Sequence, residues 1–310
     1  MGVLSPAEAP VGATGRSPKV AGSGVRATGR SPLPRARNAA IRRGMKGAAF
    51  YAALIAVLAP FLFPVVYMAL TAIKPGSLTM AYPSVWAFTP SLEHFGKVLA
   101  QQQLAAQLLN SLIIALGAVG LGLVLGLPAA YSIARHRQDR LATWLLVVRM
   151  VPYFGALIPM YIMFRQFGLV NTHLGLILSH LVITVPLTAW IMIGFIEDVP
   201  RELEEAALID GCGRVRTALF VALPLVTPGV IAAAVLNFIF SWNNFQMALV
   251  LGGNETKTAP VAVLHYMGQE GTDWGAMMAA ATLVSLPTFA FVLLVQKYLV
   301  QGLTTGGLKG

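Results

Sequence analysis

Cysteine is nearly missing from this chain. Cys212 is the single one, which excludes a disulfide within the chain and fits a loop on the reduced, cytoplasmic side. Charge is also scarce, at 11% of 310 residues where a soluble domain carries about 25%, so an ordinary water-soluble fold is excluded. The long apolar runs hold almost no carboxylate, which argues against a transporter coupled to an ion gradient. No G-x-x-x-x-G-K phosphate loop is present, so the chain is not expected to bind ATP itself. No His, Cys and carboxylate set has metal-site spacing, and no nucleophile and base pair lies within the apolar runs; neither a metal ligand nor a catalytic residue is assigned.

What is abundant is apolar sequence, at 56% of residues with a mean hydropathy of +0.71. Crossing about 30 Å of hydrocarbon takes about 20 helical residues. Six runs are long enough: Ala48 to Ile73, Leu108 to Ala134, Leu141 to Phe164, Gly175 to Ile196, Leu223 to Leu249 and Ala276 to Gln296. None shows the strict alternation of barrel strands, and only helices or closed barrels satisfy their backbone in lipid. The expected fold is an all-α polytopic membrane protein with six transmembrane helices.

Residues 1–46 carry nine of the 22 Lys and Arg against Glu8 alone, which by the positive-inside rule puts the N-terminus in the cytoplasm. The short loop Arg135 to Arg140, the loop with Arg201, Arg214 and Arg216, and Lys309 at the C-terminus then fall on the same side. Beyond the tail, 13 basic residues nearly balance 11 acidic ones, so the basic excess orients the chain, and nucleic acid is not an expected partner. Within the tail, Ala13 to Pro18 recurs as Ala27 to Pro32 in a background with few large apolar residues, a composition expected to stay disordered up to residue 46. A six-helix membrane domain over 47–310 follows, and the run after the tail is too long for a signal peptide.

Within the runs, Gly117, Gly120, Gly122 and Gly126 suit close helix approach. Pro60, Pro64, Pro128, Pro152, Pro159, Pro186 and Pro287 interrupt helical hydrogen bonding and predict kinks. The most distinctive segment is the loop 198–222. Asp198, Glu202, Glu204, Glu205 and Asp210 cluster there, with Pro200 opening a helical stretch and Gly211 able to end one. Ala206 and Ala207 leave room beside the Glu205 carboxylate for another surface to approach and meet it with an arginine. Without such a partner the same residues describe an amphipathic helix on the membrane.

Taken together, Glu205-Ala206-Ala207, Asp210-Gly211, Val221 and Leu223-Pro224 resemble the EAA motif of membrane subunits of ATP-binding-cassette importers. Ile158 to Tyr161, Phe167 to Thr172 and Ser241 to Phe245 are similar to carbohydrate permeases of the MalG type, with Asn244 standing where an acidic residue is common. The resemblance covers residues 47–310. It implies the MetI-like fold of type I importers with both termini cytoplasmic, in a prokaryotic inner membrane. It further implies a coupling helix on which Glu205 meets a basic residue of an ATPase, Gly211 forms the turn and Leu223-Pro224 opens the next span. The tail 301–310, with Gly302, Leu303, Thr304 and Lys309, is expected to reach the ATPases. Implied partners are a second six-helix permease in a heterodimer, two ATPase subunits that use ATP and Mg, an external solute-binding protein and a small sugar or polyol. An amino acid or peptide importer is the alternative, followed by a secondary transporter.

For the pathway, Asn237, Ser241 and Asn244 recur at spacings that put them on one helical face, either lining the route or bonding to a neighbouring helix. Trp242 suits a sugar face or an interfacial anchor. Arg149 lies inside the third run and either snorkels outward or serves gating or substrate. Lone His180 is expected to be a hydrogen-bonded helix contact. The absence of a strongly basic pathway favours a neutral solute. Met45 is one hypothesis for the native start, with the tail translated as the alternative; N-terminal sequencing of natively expressed protein separates them, and peptides upstream of Met45 would refute the Met45 start.

Overall fold

The computed structural model describes residues 34–100, 103–150, 153–268 and 271–307. The chain divides into two units, residues 1–60 and 61–310. Helix α1 (Pro34–Ala72) begins inside the stretch expected to be disordered up to residue 46, whose remainder, 1–33, lies outside the described residues. Ala39, Ala40, Arg42 and Arg43 are good helix formers, and proline at the first helical position loses no hydrogen bond, which accounts for the early start. Its Phe50–Ala72 portion is long and apolar enough to span a membrane.

Within 61–310, a short connection past α1 holds Lys74, which is only 2% exposed. Its ammonium lies 5.7 Å from the ring centroids of Tyr67, Trp86 and Phe88, three π faces that substitute for a counter-charge. The helices α2 (Glu93–Ala100), α3 (Gln103–His136), α4 (Asp139–Met150), α5 (Tyr153–Gln166) and α6 (His173–Glu197) follow. Then come α7 (Arg201–Ile209), α8 (Arg214–Leu225), α9 (Thr227–Trp242), α10 (Phe245–Leu251), α11 (Ala259–Ala262) and α12 (Trp274–Gly307). A two-stranded hairpin, Met267–Gly268 with Gly271–Thr272, precedes α12.

Among the described residues, four helices are long and apolar enough to cross a membrane, or up to six spans if each bent pair counts as one. The third and fifth expected runs are therefore not single straight helices. Asp139–Met150 and Phe154–Gln166 meet at 93°, and Arg214–Leu225 and Thr227–Trp242 at 80°. The second bend has a clear cause. Pro228 has no N–H to give the Pro224 carbonyl, Val226 leaves helical geometry at φ −97°, ψ 11°, and the Thr227 hydroxyl donates to the carbonyls of Pro224 (2.8 Å) and Leu223 (3.3 Å). By contrast, α3, α6 and α12 run through Pro128, Pro186 and Pro287.

At the other end of α9 the helix stops at Trp242, short of the expected Leu249. The side chain of Asn244 caps α10 instead, accepting from the Met247 N–H at 3.1 Å. Helix α12 continues through Gly302, Leu303 and Thr304, whereas Lys309 lies outside the described residues.

The centre is the seam between α3 and α6. A Cβ on Gly117 would meet Ile177 at 2.6 Å, on Gly122 the Thr184 side chain at 2.8 Å, and on Gly126 the Thr188 side chain at 2.6 Å. At Gly122 and Gly126, where the neighbouring atoms are threonine Cβ and backbone, glycine is what permits this approach, in an environment where helices gain little hydrophobic drive from one another. Helix α9 closes the core, placing Ala233 among Ala130, Ala189, Met192 and Ile196.

Gly126→Val is expected to destabilise the protein by about 1–3 kcal/mol through overpacking at Thr188. Gly120→Ala, which meets nothing within 4 Å, is expected to be neutral. The thermal midpoint of the purified protein in detergent checks both, and equal midpoints for the two variants would refute the seam.

Candidate functional site

The nine residues of α7 carry the acidic cluster singled out from the sequence. Pro200 precedes the helix and ends the chain reversal after α6. Glu202 and Glu204 fall in the first turn, where a negative charge suits the helix dipole. Exit is by a Schellman turn: the N–H of Gly211 bonds the Leu208 carbonyl (3.1 Å) and that of Cys212 the Ala207 carbonyl (3.0 Å). This closure requires Gly211 at φ +89°, a left-handed backbone conformation that glycine adopts without strain.

One carboxylate of the cluster points inward. Glu204 is 7% exposed and accepts hydrogen bonds from Arg135 Nε at 2.9 Å, from an Arg135 Nη and from the Tyr131 hydroxyl at 2.6 Å. Arg135 also donates to the Val199 carbonyl at 3.2 Å, and Arg201 donates back to the Arg135 carbonyl at 3.3 Å. The end of α3 thus grips the first turn of α7 and the residue before it. Sequence reading singled out Glu205 and gave its neighbour Glu204 no role, although Tyr131 and Arg135, four residues apart on one face of α3, carried the signal.

The remaining residues of α7 face the other way. Glu205, Ala206, Ile209 and Asp210 are exposed, Ile209 at 86%, and Ala207 is half-buried. A carboxylate, a methyl and a large apolar side chain therefore share an open face of a helix whose opposite face is clamped. Leu223 and Pro224, from the same motif, lie at the end of α8, with Leu223 packed against the core and Pro224 exposed. Between them and α7, Ala218–Ala222 forms a π-type turn, a local widening found often at functional sites.

A second locus is a cleft of about 480 Å³ among α4, α6 and the junction of α9 with α10, lined by Val148, Arg149, Val182, Ile183, Ile239, Phe240, Asn243, Asn244 and Gln246. It brings together Arg149 and Asn244, two of the residues expected on the pathway. Asn237 and Ser241 lie elsewhere. Asn237 is fully buried and donates to Thr188 Oγ1 at 2.6 Å, while Ser241 Oγ pairs with His180 Nδ1 at 2.7 Å. Their shared face points at α6, and the helix ends before Asn244 can continue it. Trp242 is neither anchor nor platform: it is buried, donates to the Val284 carbonyl at 3.1 Å and stacks on Phe238.

Residues 122–305 match the model of binding-protein-dependent transport system inner membrane components. The chain is 39% identical to a putative ABC transporter permease protein of Streptomyces antibioticus, over 71% of this chain and 98% of that one. It is 32% identical to a sulfoquinovosyl glycerol transport system permease protein of Agrobacterium fabrum, over 80% and 89%. A trehalose transport system permease protein of Mycobacterium tuberculosis is 31% identical over 86% and 100%. In fold, a chain from the crystal structure of a bacterial ABC transporter that imports the acidic polysaccharide alginate is similar with a TM-score of 0.67 at 20% identity, over 83% of this chain and 98% of that one.

Glu204→Ala leaves Arg135 buried without its counter-charge and is expected to cost about 3–5 kcal/mol locally, freeing α7. Tyr131→Phe removes one hydrogen bond and is expected to cost about 1–3 kcal/mol. Limited proteolysis between residues 198 and 214 reads both, with faster cleavage in Glu204→Ala than in Tyr131→Phe; unchanged cleavage in both would refute the clamp.

Proposed function

We propose, from the premise that this chain belongs to the family of binding-protein-dependent transport system inner membrane components, that α7 is the lever through which a cytoplasmic ATPase drives it. The chain is a multi-pass inner-membrane permease subunit of an ATP-binding-cassette importer, and its cargo is a sugar or sugar derivative. The observation that carries the lever is the two-sidedness of α7: Glu204 is clamped to the end of α3, while Glu205, Ala206, Ile209 and Asp210 stand exposed. A basic residue in an ATPase groove meets Glu205, Ala206 leaves room for the approach, and Ile209 supplies apolar area.

Each bent pair counts as one span in this reading, giving six with both termini in the cytoplasm. A second, related permease completes the pathway as a heterodimer, two ATPase subunits bind ATP and Mg, and an external binding protein delivers the cargo. This chain holds no cofactor and performs no hydrolysis. ATP favours the closed ATPase pair, and the clamp passes that bias through α3 to the α6 seam, shifting the permease between inward-open and outward-open states. The last helix runs through Gly302, Leu303 and Thr304, and the tail that carries them and Lys309 is the part that reaches the ATPases in this reading. Sugar specificity draws support from the relatives named for sulfoquinovosyl glycerol and trehalose transport; an amino acid or peptide cargo is the second reading.

Glu205→Lys is expected to abolish ATPase co-purification and cargo uptake while the permease still inserts, because the change faces outward and leaves the Glu204 clamp intact. Pull-down from native membranes with an uptake assay checks this. Retention of both functions would overturn the lever assignment.

A further inference from the structure

We infer that His94 is a proton-binding site whose charged form latches three segments together at the end of α3 remote from α7. The imidazole is 1% exposed, yet neither ring nitrogen has a hydrogen-bond partner. Two carboxylate oxygens approach it, Glu93 Oε1 at 3.6 Å from Nε2 and Asp273 Oδ1 at 3.9 Å from Nδ1. A neutral ring carries one donor and one acceptor nitrogen, so it would turn a lone pair toward one of these oxygens. An imidazolium carries two N–H donors and a charge opposite to both neighbours. Both carboxylates are half-exposed, so small movements of their side chains close the two contacts. The surroundings therefore suit a ring that takes up a proton.

Each carboxylate already holds a second segment. Glu93 Oε1 accepts from the Gly76 N–H at 2.6 Å, in the connection after α1, and Asp273 Oδ1 caps α12 by accepting from the Ala276 N–H at 3.0 Å. The ring itself lies on the backbone of Gly275, where a Cβ would meet it at 2.1 Å. Beneath it, Ala72, Val98, Leu104 and Ala276 form one apolar cluster. A single charge on His94 thus draws on the exit of α1, on α2 and on the start of α12. Among the described residues, Lys97 pairs with the other Asp273 oxygen at 3.7 Å and leaves Oδ1 free to face the ring, while the Lys74 ammonium is turned into its aromatic cage. Tyr266, whose carbonyl accepts from the Asp273 N–H at 3.0 Å, is pushed up by burial and then by the Asp273 charge, and stays neutral. Histidine is the side chain that ordinarily changes charge between about pH 5 and 8. The latch is therefore closed at the acid end of that range, where the ring is charged, and loosens as the pH rises. With both termini cytoplasmic this end faces outside the cell, although the latch itself does not depend on that reading.

The test is backbone hydrogen exchange read by mass spectrometry on the full chain, purified from native membranes with whatever subunits accompany it. Protection is compared at about pH 8 and pH 6 after correction for the chemical exchange rate at each pH. Peptides covering 73–80 and 273–280 are expected to gain roughly threefold protection at the lower pH, while those of α7 stay unchanged. His94→Gln, which fills the site without titrating, should abolish the gain. Asp273→Asn keeps a capping oxygen for Ala276 but removes the charge, and should lose most of it; Lys97→Gln should retain it. The Asp273→Asn and Lys97→Gln results decide the matter even if His94→Gln does not fold. No gain in the native protein, or an equal gain in His94→Gln or Asp273→Asn, would overturn the inference and leave the importer reading standing. An equal gain in the α7 peptides would overturn it too, by making the response global.

Discussion

The buried ion pair of Glu204 and Arg135, completed by the Tyr131 hydroxyl, is the interaction on which the rest of the molecule depends. Two charges withdrawn from water gain little net stability over a well-packed apolar pair. Their value here is geometric. The fork of the guanidinium and the phenol together hold both oxygens of one carboxylate, so a nine-residue helix, too short to be stable alone, is held at a fixed angle to α3. In the proposed coupling, a displacement imposed on the exposed face of α7 would be delivered to α3 rather than dissipated in a loose loop.

What α3 receives it passes to α6, because nothing soft lies between them. Gly122 and Gly126 bring the α3 backbone against Thr184 and Thr188, at distances where even one added methyl would have to displace its neighbour. Thr188 in turn accepts from Asn237 of α9, and His180 of α6 pairs with Ser241 one turn further on. Three helices are thus joined at one seam, where Thr188 of α6 meets both Gly126 of α3 and Asn237 of α9. Such a body moves as a unit, and motion is left to the places where helical hydrogen bonding is already broken.

Those places are the α8 to α9 bend at Val226 and the junction of α9 with α10 at Asn243 and Asn244. The freed carbonyls at the first are satisfied by Thr227, and the freed N–H of Met247 at the second by Asn244, so both breaks are stable features of the resting structure. The cleft with Arg149 opens beside the second break. Rearrangement of the rigid three-helix body would change the shape of that cleft without melting a helix.

Much of this architecture was legible along the chain because membrane helices are announced by apolar length alone, and because the glycines at 117, 122 and 126 have one dominant use in such helices. The turn at Gly211 was legible for a similar local reason: the left-handed conformation it adopts belongs to glycine. Glu205 and Glu204, adjacent and chemically identical, could not be told apart by composition; which one points inward depends on Arg135, 69 positions away. The face shared by Asn237, Ser241 and Asn244 was extrapolated at about 100° per residue beyond the point where the helix ends, so the third member left the set. Apolar length and turn chemistry are properties of short segments, and the sequence by itself determined them. The direction of each buried polar group and the inward carboxylate of Glu204 were decided only by tertiary packing, because a charge acquires its meaning from what surrounds it in space.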